Sequence, residues 1–218
     1  MVVSMKNSKL FQKVKLKPEI LTHPNIPVPL HGINPRNIKG EAWWDKTRNE
    51  AKKRTGNCCS ACGVQAIRAK RFKYLEGHEF FDIDYMTGRC EVISIEPLCH
   101  YCHNFIHSGR LSMIMGTGKT EKEVKAILEH GFKILSDNKL QCFPFTLSFA
   151  KELGVNTHGV TAYTLKGDPL LIWEDYCLVL DGEEYRKPNP NAVTDVDEEE
   201  WGDEYLDPYD QYHLQWGE

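Results

Sequence analysis

Two Cys-x-x-Cys pairs, Cys59-Ser60-Ala61-Cys62 and Cys99-His100-Tyr101-Cys102, with 36 residues between them, constrain this chain more than any other feature. A Cys-x-x-Cys turn aims two thiolates at one point, and two such turns complete the tetrahedral sulfur shell that zinc prefers. The spacing predicts a structural zinc held by Cys59, Cys62, Cys99 and Cys102, with room between the pairs for a hairpin and a loop. Cys58 could replace Cys59 by a one-residue slip, but Cys59 gives both pairs the same spacing. Cys90, Cys142 and Cys177 stand apart from these pairs and read as buried small hydrophobes. A disulfide framework is not expected, because the lysine-bearing N-terminus has no continuous apolar core of a secretory leader. No stretch approaches the roughly 20 apolar residues of a membrane helix, so the expected location is the cytoplasm, with no membrane partner.

The remaining pattern points to an α+β fold around this zinc core. With 41% hydrophobic and 27% charged residues, the 218-residue chain has the composition of an ordinary globular protein. Residues 1–39, dense in lysine and proline, read as an extended basic arm. Glu41 to Arg54 reads as a helix stopped by Thr55-Gly56, with Trp43, Trp44 and Ala51 inward. Phe72 to Tyr85 has strand character, Thr87-Gly88 is a turn signal, and Cys102 to Arg110 reads as a short helix ending near Ser108-Gly109. Thr120-Glu121-Lys122-Glu123 is a capping box opening a helix expected to stop at Gly131, with Val124, Ile127 and Leu128 as its buried stripe. Leu170 to Leu180 and Glu183 to Arg186 flank Asp181-Gly182, a hairpin turn signal. The expected division is a basic arm at 1–39, a zinc domain at 40–115, a small helix-plus-hairpin region at 116–187 and an acidic tail at 188–218.

Gly116-Thr117-Gly118-Lys119-Thr120 ends like a phosphate-binding loop, but Met113 stands where that motif needs its first glycine. No nucleotide cofactor is expected. The net charge of −4 conceals a strong asymmetry, since the stretch from Asp181 onward holds 13 acidic residues against 2 basic ones. The basic body that remains suits a polyanionic partner. The tail serves as a solvating segment, as a competitor for the same basic groove, or as a contact for a protein partner.

A second constellation lies on the zinc scaffold. His103 and His107 are four residues apart, which on a helix stacks both imidazoles on one face, able to hold one cation. Upstream, Leu75-Glu76-Gly77-His78-Glu79 supplies a histidine between two carboxylates, with Asp82 and Asp84 close behind. A zinc core joining a strand pair to a helix would bring His78 against His103 and His107.

At these residues the chain resembles the HNH, or His-Me finger, endonucleases, in a variant subgroup found in bacteria and phages. The likeness is carried by the Cys-x-x-Cys pairs, by His78-Glu79 followed by Phe81 and Asp84, by Leu98-Cys99-x-x-Cys102-His103, and by His107. It spans roughly Trp43 to Leu111 and implies a ββα-metal finger stiffened by the four-cysteine zinc. The resemblance implies hydrolysis of DNA phosphodiesters with Mg or another divalent metal, in phage genome processing or restriction. It makes His78 the general base and His103 and His107 metal ligands. Gly77 stands where many members carry a ligand, so either Glu76, Glu79 or Asp84 supplies the missing one, or His78 is a ligand and Glu79 the base. Ser94 occupies the position of the family's middle Asn. Arg54, Arg68, Lys70, Arg71 and Arg110 would hold the DNA backbone. The alternative is a catalytically silent zinc module that binds nucleic acid or a protein.

Overall fold

A computed structural model of the chain describes residues 15–22, 26–114, 120–164 and 172–190. In chain order the elements are α1 (Pro35–Lys39), α2 (Glu41–Arg54), β1 (Glu76–Asp84), β2 (Arg89–Leu98), α3 (His100–Ile106), α4 (Ser108–Ile114), α5 (Glu121–Asp137), α6 (Pro144–Glu152), β3 (Cys177–Leu180) and β4 (Glu183–Tyr185), with short 3-10 turns between them. The architecture is mixed α+β, with one four-stranded sheet in the order β1-β2-β3-β4. β2 and β3 run parallel, with Cys90 opposite Leu178, and β3 and β4 form an antiparallel hairpin. A parallel pair needs a long crossover, and α3 to α6 lie within the segment that connects β2 to β3.

Two compact units form, one from stretches within 1–24, 47–79 and 95–164, the other from stretches within 25–46, 80–94 and 165–218. The second unit is centred on Leu30, Phe81, Cys90 and Leu178, with Ile26, Ile38 and Val92 packed around them. Its hairpin turns at Asp181 and Gly182 with φ of 54° and 82°, the left-handed pair that a two-residue hairpin of this twist demands. Gly88 is held at φ 74°, and a Cβ there would stand 2.8 Å from the Asp175 carbonyl oxygen, so only glycine fits. Cys90 and Cys177 are buried here, as expected of thiols that stand apart from the two pairs.

In the first unit, α3 and α5 pack on each other and on the Pro18–Thr22 turn. The expected helix stop at Gly131 is not observed, because α5 continues to Asp137. Gly131 instead lies hard against α3: a Cβ there would lie 2.1 Å from the Phe105 ring. The glycine is a contact, not a terminator. Thr120 does cap α5, its hydroxyl accepting from the Glu123 amide, and Val124, Ile127 and Leu128 are fully buried.

Other boundaries also shift. The described part of the N-terminal arm is not extended but carries 3-10 turns at Pro18–Thr22 and Val28–Leu30 and the helix α1. Proline is tolerated in a first helical turn, where its missing N–H is not needed, and Pro18 and Pro35 each begin a turn or helix. Asn34 caps α1 by accepting from the Asn37 amide at 2.9 Å. The segment expected to end near Ser108 breaks at His107 and restarts as α4, with the buried Ser108 hydroxyl 2.8 Å from that of Thr146. Trp43 and Trp44 on α2 are half-buried rather than core, while Ala51 is buried. Among the described residues no helix is long and apolar enough to cross a membrane. The glycine-rich stretch at 116–119 and the tail beyond residue 190 lie outside the described residues.

Glu96, 1% exposed, is the polar anchor of the first unit. Its carboxylate accepts from Lys17 Nζ at 2.6 Å, Ser60 Oγ at 2.6 Å and Arg54 Nη2 at 3.0 Å. It thus ties the N-terminal segment, the end of α2 and the first cysteine turn to the end of β2. Glu96→Ala is expected to lower stability by about 3 kcal/mol, the low end for breaking a buried ion pair because both cations keep water. Chemical denaturation of the variant measures this.

Candidate metal centres

The first cysteine turn forms because its backbone closes on itself. Cys59 N–H donates to Val64 O and Gly63 N–H donates back to Cys59 O, both at 2.9 Å, with Gly63 at φ 74°. Ser60 N–H then donates to Pro97 O at 2.8 Å, which seats this turn beside the residue pair preceding Cys99. The second pair sits at a helix start, with Cys99 as the N-cap of α3 and Cys102 in its first turn. Together these contacts gather Cys59, Cys62, Cys99 and Cys102 so that their sulfurs all lie within 4.8 Å of one another.

The Cys62 and Cys99 sulfurs are 3.8 Å apart. A tetrahedron with zinc–sulfur arms of about 2.3 Å has edges of about 3.8 Å, which this pair matches. Hydrogen bonds from Cys102 hold the Cys59 and Cys99 thiols low, while Cys102 is pushed far up by the same contacts and by burial. Four cysteine sulfurs at this spacing form a donor set that suits zinc. Cys58 takes no part and turns its thiol toward Gly56 O at 3.7 Å. His130 of α5 reaches the outside of the cluster, with Nε2 3.5 Å from the Cys102 sulfur.

The second group is built on the same helix. His103 lies on α3 and His107 is its C-cap, so the i, i+4 spacing stacks them with ring centroids 4.8 Å apart. His78 of β1, 5% exposed, faces both, with centroid separations of 5.3 Å to His103 and 5.0 Å to His107. The ligand atoms of the three lie within 4.8 Å of one another, so the group could hold a metal ion. Burial, joined by the charges of His103 and Arg110, lowers His107 to about 3, which keeps its ring neutral and its lone pair available.

Glu76 is the residue that organises this group. Strand alternation puts Glu76 and His78 on one face of β1 and Glu79 on the other. The Glu76 carboxylate accepts from Nδ1 of His100 at 3.0 Å and from Nδ1 of His103 at 2.9 Å. With Nδ1–H donating, Nε2 of His103 carries the lone pair, the arrangement in which a carboxylate orients a metal-binding imidazole. Burial works to raise the Glu76 carboxyl, but the two histidines outweigh it and bring it down to about 2. The ionised form therefore contributes stability that is complete above the ordinary 4.5 and lost as pH falls through about 2. Glu76→Gln should cost about 2 kcal/mol at neutral pH. Denaturation across an acid series should show wild type descending toward the variant over that window.

The other expected site residues lie as follows. Glu79 is pushed up by burial and is not one of the three grouped imidazole-bearing positions. Asp84 is occupied within its own turn, accepting from the Met86 amide at 2.8 Å and the Thr87 hydroxyl at 2.9 Å. Arg54 binds Glu96 and donates to Ile95 O at 2.9 Å. Arg71 faces Glu123 at 3.4 Å, Lys70 lies over the Tyr101 ring at 5.5 Å, and Arg68 and Arg110 are exposed. Sequence reasoning underrated Glu76 and passed over His100, although the period of 2 from His78 marks Glu76 as its neighbour on one face. Comparison with protein-family models, curated proteins and solved structures finds no match for the chain.

Proposed function

We propose that this protein is a divalent-metal-dependent endonuclease of the ββα-metal kind, hydrolysing DNA phosphodiesters in phage genome processing or restriction. The observation that carries the reading is the convergence of His78 from the hairpin with His103 and His107 from the helix that follows. That helix begins on the cysteine cluster, so a zinc there would stiffen both sides of the histidine group. His103 and His107 are the pair that would hold the cation, with Glu76 orienting His103. When bound, a divalent cation neutralises charge developing on the scissile phosphate and the leaving 3′ oxygen. His78, which lies against both rings, would take the proton of the attacking water. Arg68, Lys70 and Arg110 supply positive charge for the phosphate backbone.

The second reading, a silent zinc module, is favoured by Ser94 at the position of the family's Asn. The test is incubation of purified protein with supercoiled and linear DNA in Mg²⁺, Mn²⁺ or Ni²⁺. Nicking or cutting that stops on chelation supports the nuclease. Absence of cleavage above a His78→Ala control in every metal leaves the silent module.

A further inference from the structure

The first unit carries an open cleft of about 600 Å³ that neither metal centre uses. Lys52, Asn57, Gln65, Ile67, Lys73 and Tyr74 line it, and among the described residues no carboxylate does. Two of these are large apolar side chains left in water, Ile67 at 73% and Tyr74 at 53% exposure. These apolar side chains stand beside lysines and side-chain amides in one cleft. One face of the Tyr74 ring lies on Phe72, with centroids 5.1 Å apart and planes 14° from parallel. Phe72 thus supports part of one face of a ring that is half in water.

We propose that this cleft is a nucleobase subsite that takes an unpaired base of a single strand, stacked on Tyr74. The amides of Asn57 and Gln65 offer donors and acceptors to a base edge. The ammonium groups of Lys52 and Lys73 suit the flanking phosphates. Ile67 covers apolar surface of the base. A peptide partner fits less well, since the cleft pairs a flat ring with positive charge and lacks a deep apolar pocket.

The subsite is joined to the histidine group through Phe72. That ring meets His100 edge-on at 4.7 Å, and His100 donates to the same Glu76 carboxylate that holds His103. Leu75 lines the cleft one residue before Glu76, and His78 follows three residues after Leu75. Three extended residues span about 10 Å, or about three steps of a stacked strand at about 3.4 Å each. The cleft residue Leu75 thus lies about 10 Å along the chain from His78, a span of a few nucleotides. This inference adds a substrate feature to the proposed nuclease, a preference for unpaired bases near the cut, but base binding does not require cleavage.

The test is equilibrium binding without added divalent cation, using a fluorescent single-stranded oligonucleotide, the same strand with abasic sites, and a fully paired duplex. Wild type should bind the abasic strand at least about five-fold more weakly than the intact one. Tyr74→Ala should show a similar loss on the intact strand, Tyr74→Phe should stay within about two-fold of wild type, and duplex binding should be unchanged by either. The abasic comparison needs no variant, so it stands even if Tyr74→Ala folds poorly. Equal affinity for intact and abasic strands, an equal loss on duplex, or no oligonucleotide binding at all would overturn the subsite. Cleavage that needs His78 together with no effect at Tyr74 would overturn the subsite alone. A Tyr74-dependent affinity with no cleavage in any metal would uphold the subsite and remove the nuclease.

Discussion

Cys59→Ser and Cys99→Ser are each expected to lose the zinc and to unfold the first unit at ordinary temperature. The four sulfurs lie within 4.8 Å of one another, with Cys62 and Cys99 at the edge length of a zinc tetrahedron, and the free energy of filling such a shell is folding free energy. In small zinc domains that amounts to roughly 10–16 kcal/mol, as large as the whole stability of a typical domain. The consequences spread because each turn holds something else. The first turn is bonded to Pro97 and Glu96, and Cys99 caps the helix that carries His103. Loss of either cysteine should therefore also scatter the histidine group. Cys142→Ser is the control, because Cys142 is a buried thiol outside the cluster and its replacement should cost only about 1–2 kcal/mol with zinc retained. Elemental analysis per chain and thermal melting read the outcome. Full stability in a metal-free preparation would exclude a structural zinc.

His78→Ala is expected to reduce cleavage by roughly 10²–10⁴-fold while DNA affinity stays within about two-fold, since a base acts in the transition state and adds little to ground-state binding. Its place 5.0–5.3 Å from both helix histidines also allows a third-ligand role. Titration with Mn²⁺ separates the two. A base leaves cation affinity intact in the variant, whereas a third ligand lowers it along with activity. His103→Ala should lose cation binding in either case, and should also release Glu76 from one of its two partners. Cleavage by His78→Ala equal to wild type across metals and pH would remove His78 from the chemistry.

Much of this was written in local spacing. Four cysteines in two matched pairs name a tetrahedral site, because two residues between ligands is a turn's geometry whatever surrounds it. His103 and His107 share a face because a helix repeats every 3.6 residues, and Asp181-Gly182 and Thr120 announce a hairpin and a helix start by backbone chemistry alone. These features need no partner from elsewhere in the chain.

What needed the tertiary structure is everything that depends on which surfaces meet. Gly131 reads locally as a stop, yet it is the small residue that lets the Phe105 ring approach α5. Arg54 reads as a free cation for phosphate, yet Glu96, distant in sequence, claims it. Asp84 and Glu76 look alike as carboxylates near His78. The turn after β1 consumes Asp84, while the tertiary structure brings Glu76 to His100 and His103. A side chain's identity and spacing set what it can bind, but its partner is chosen by long-range packing, which local periodicity does not encode.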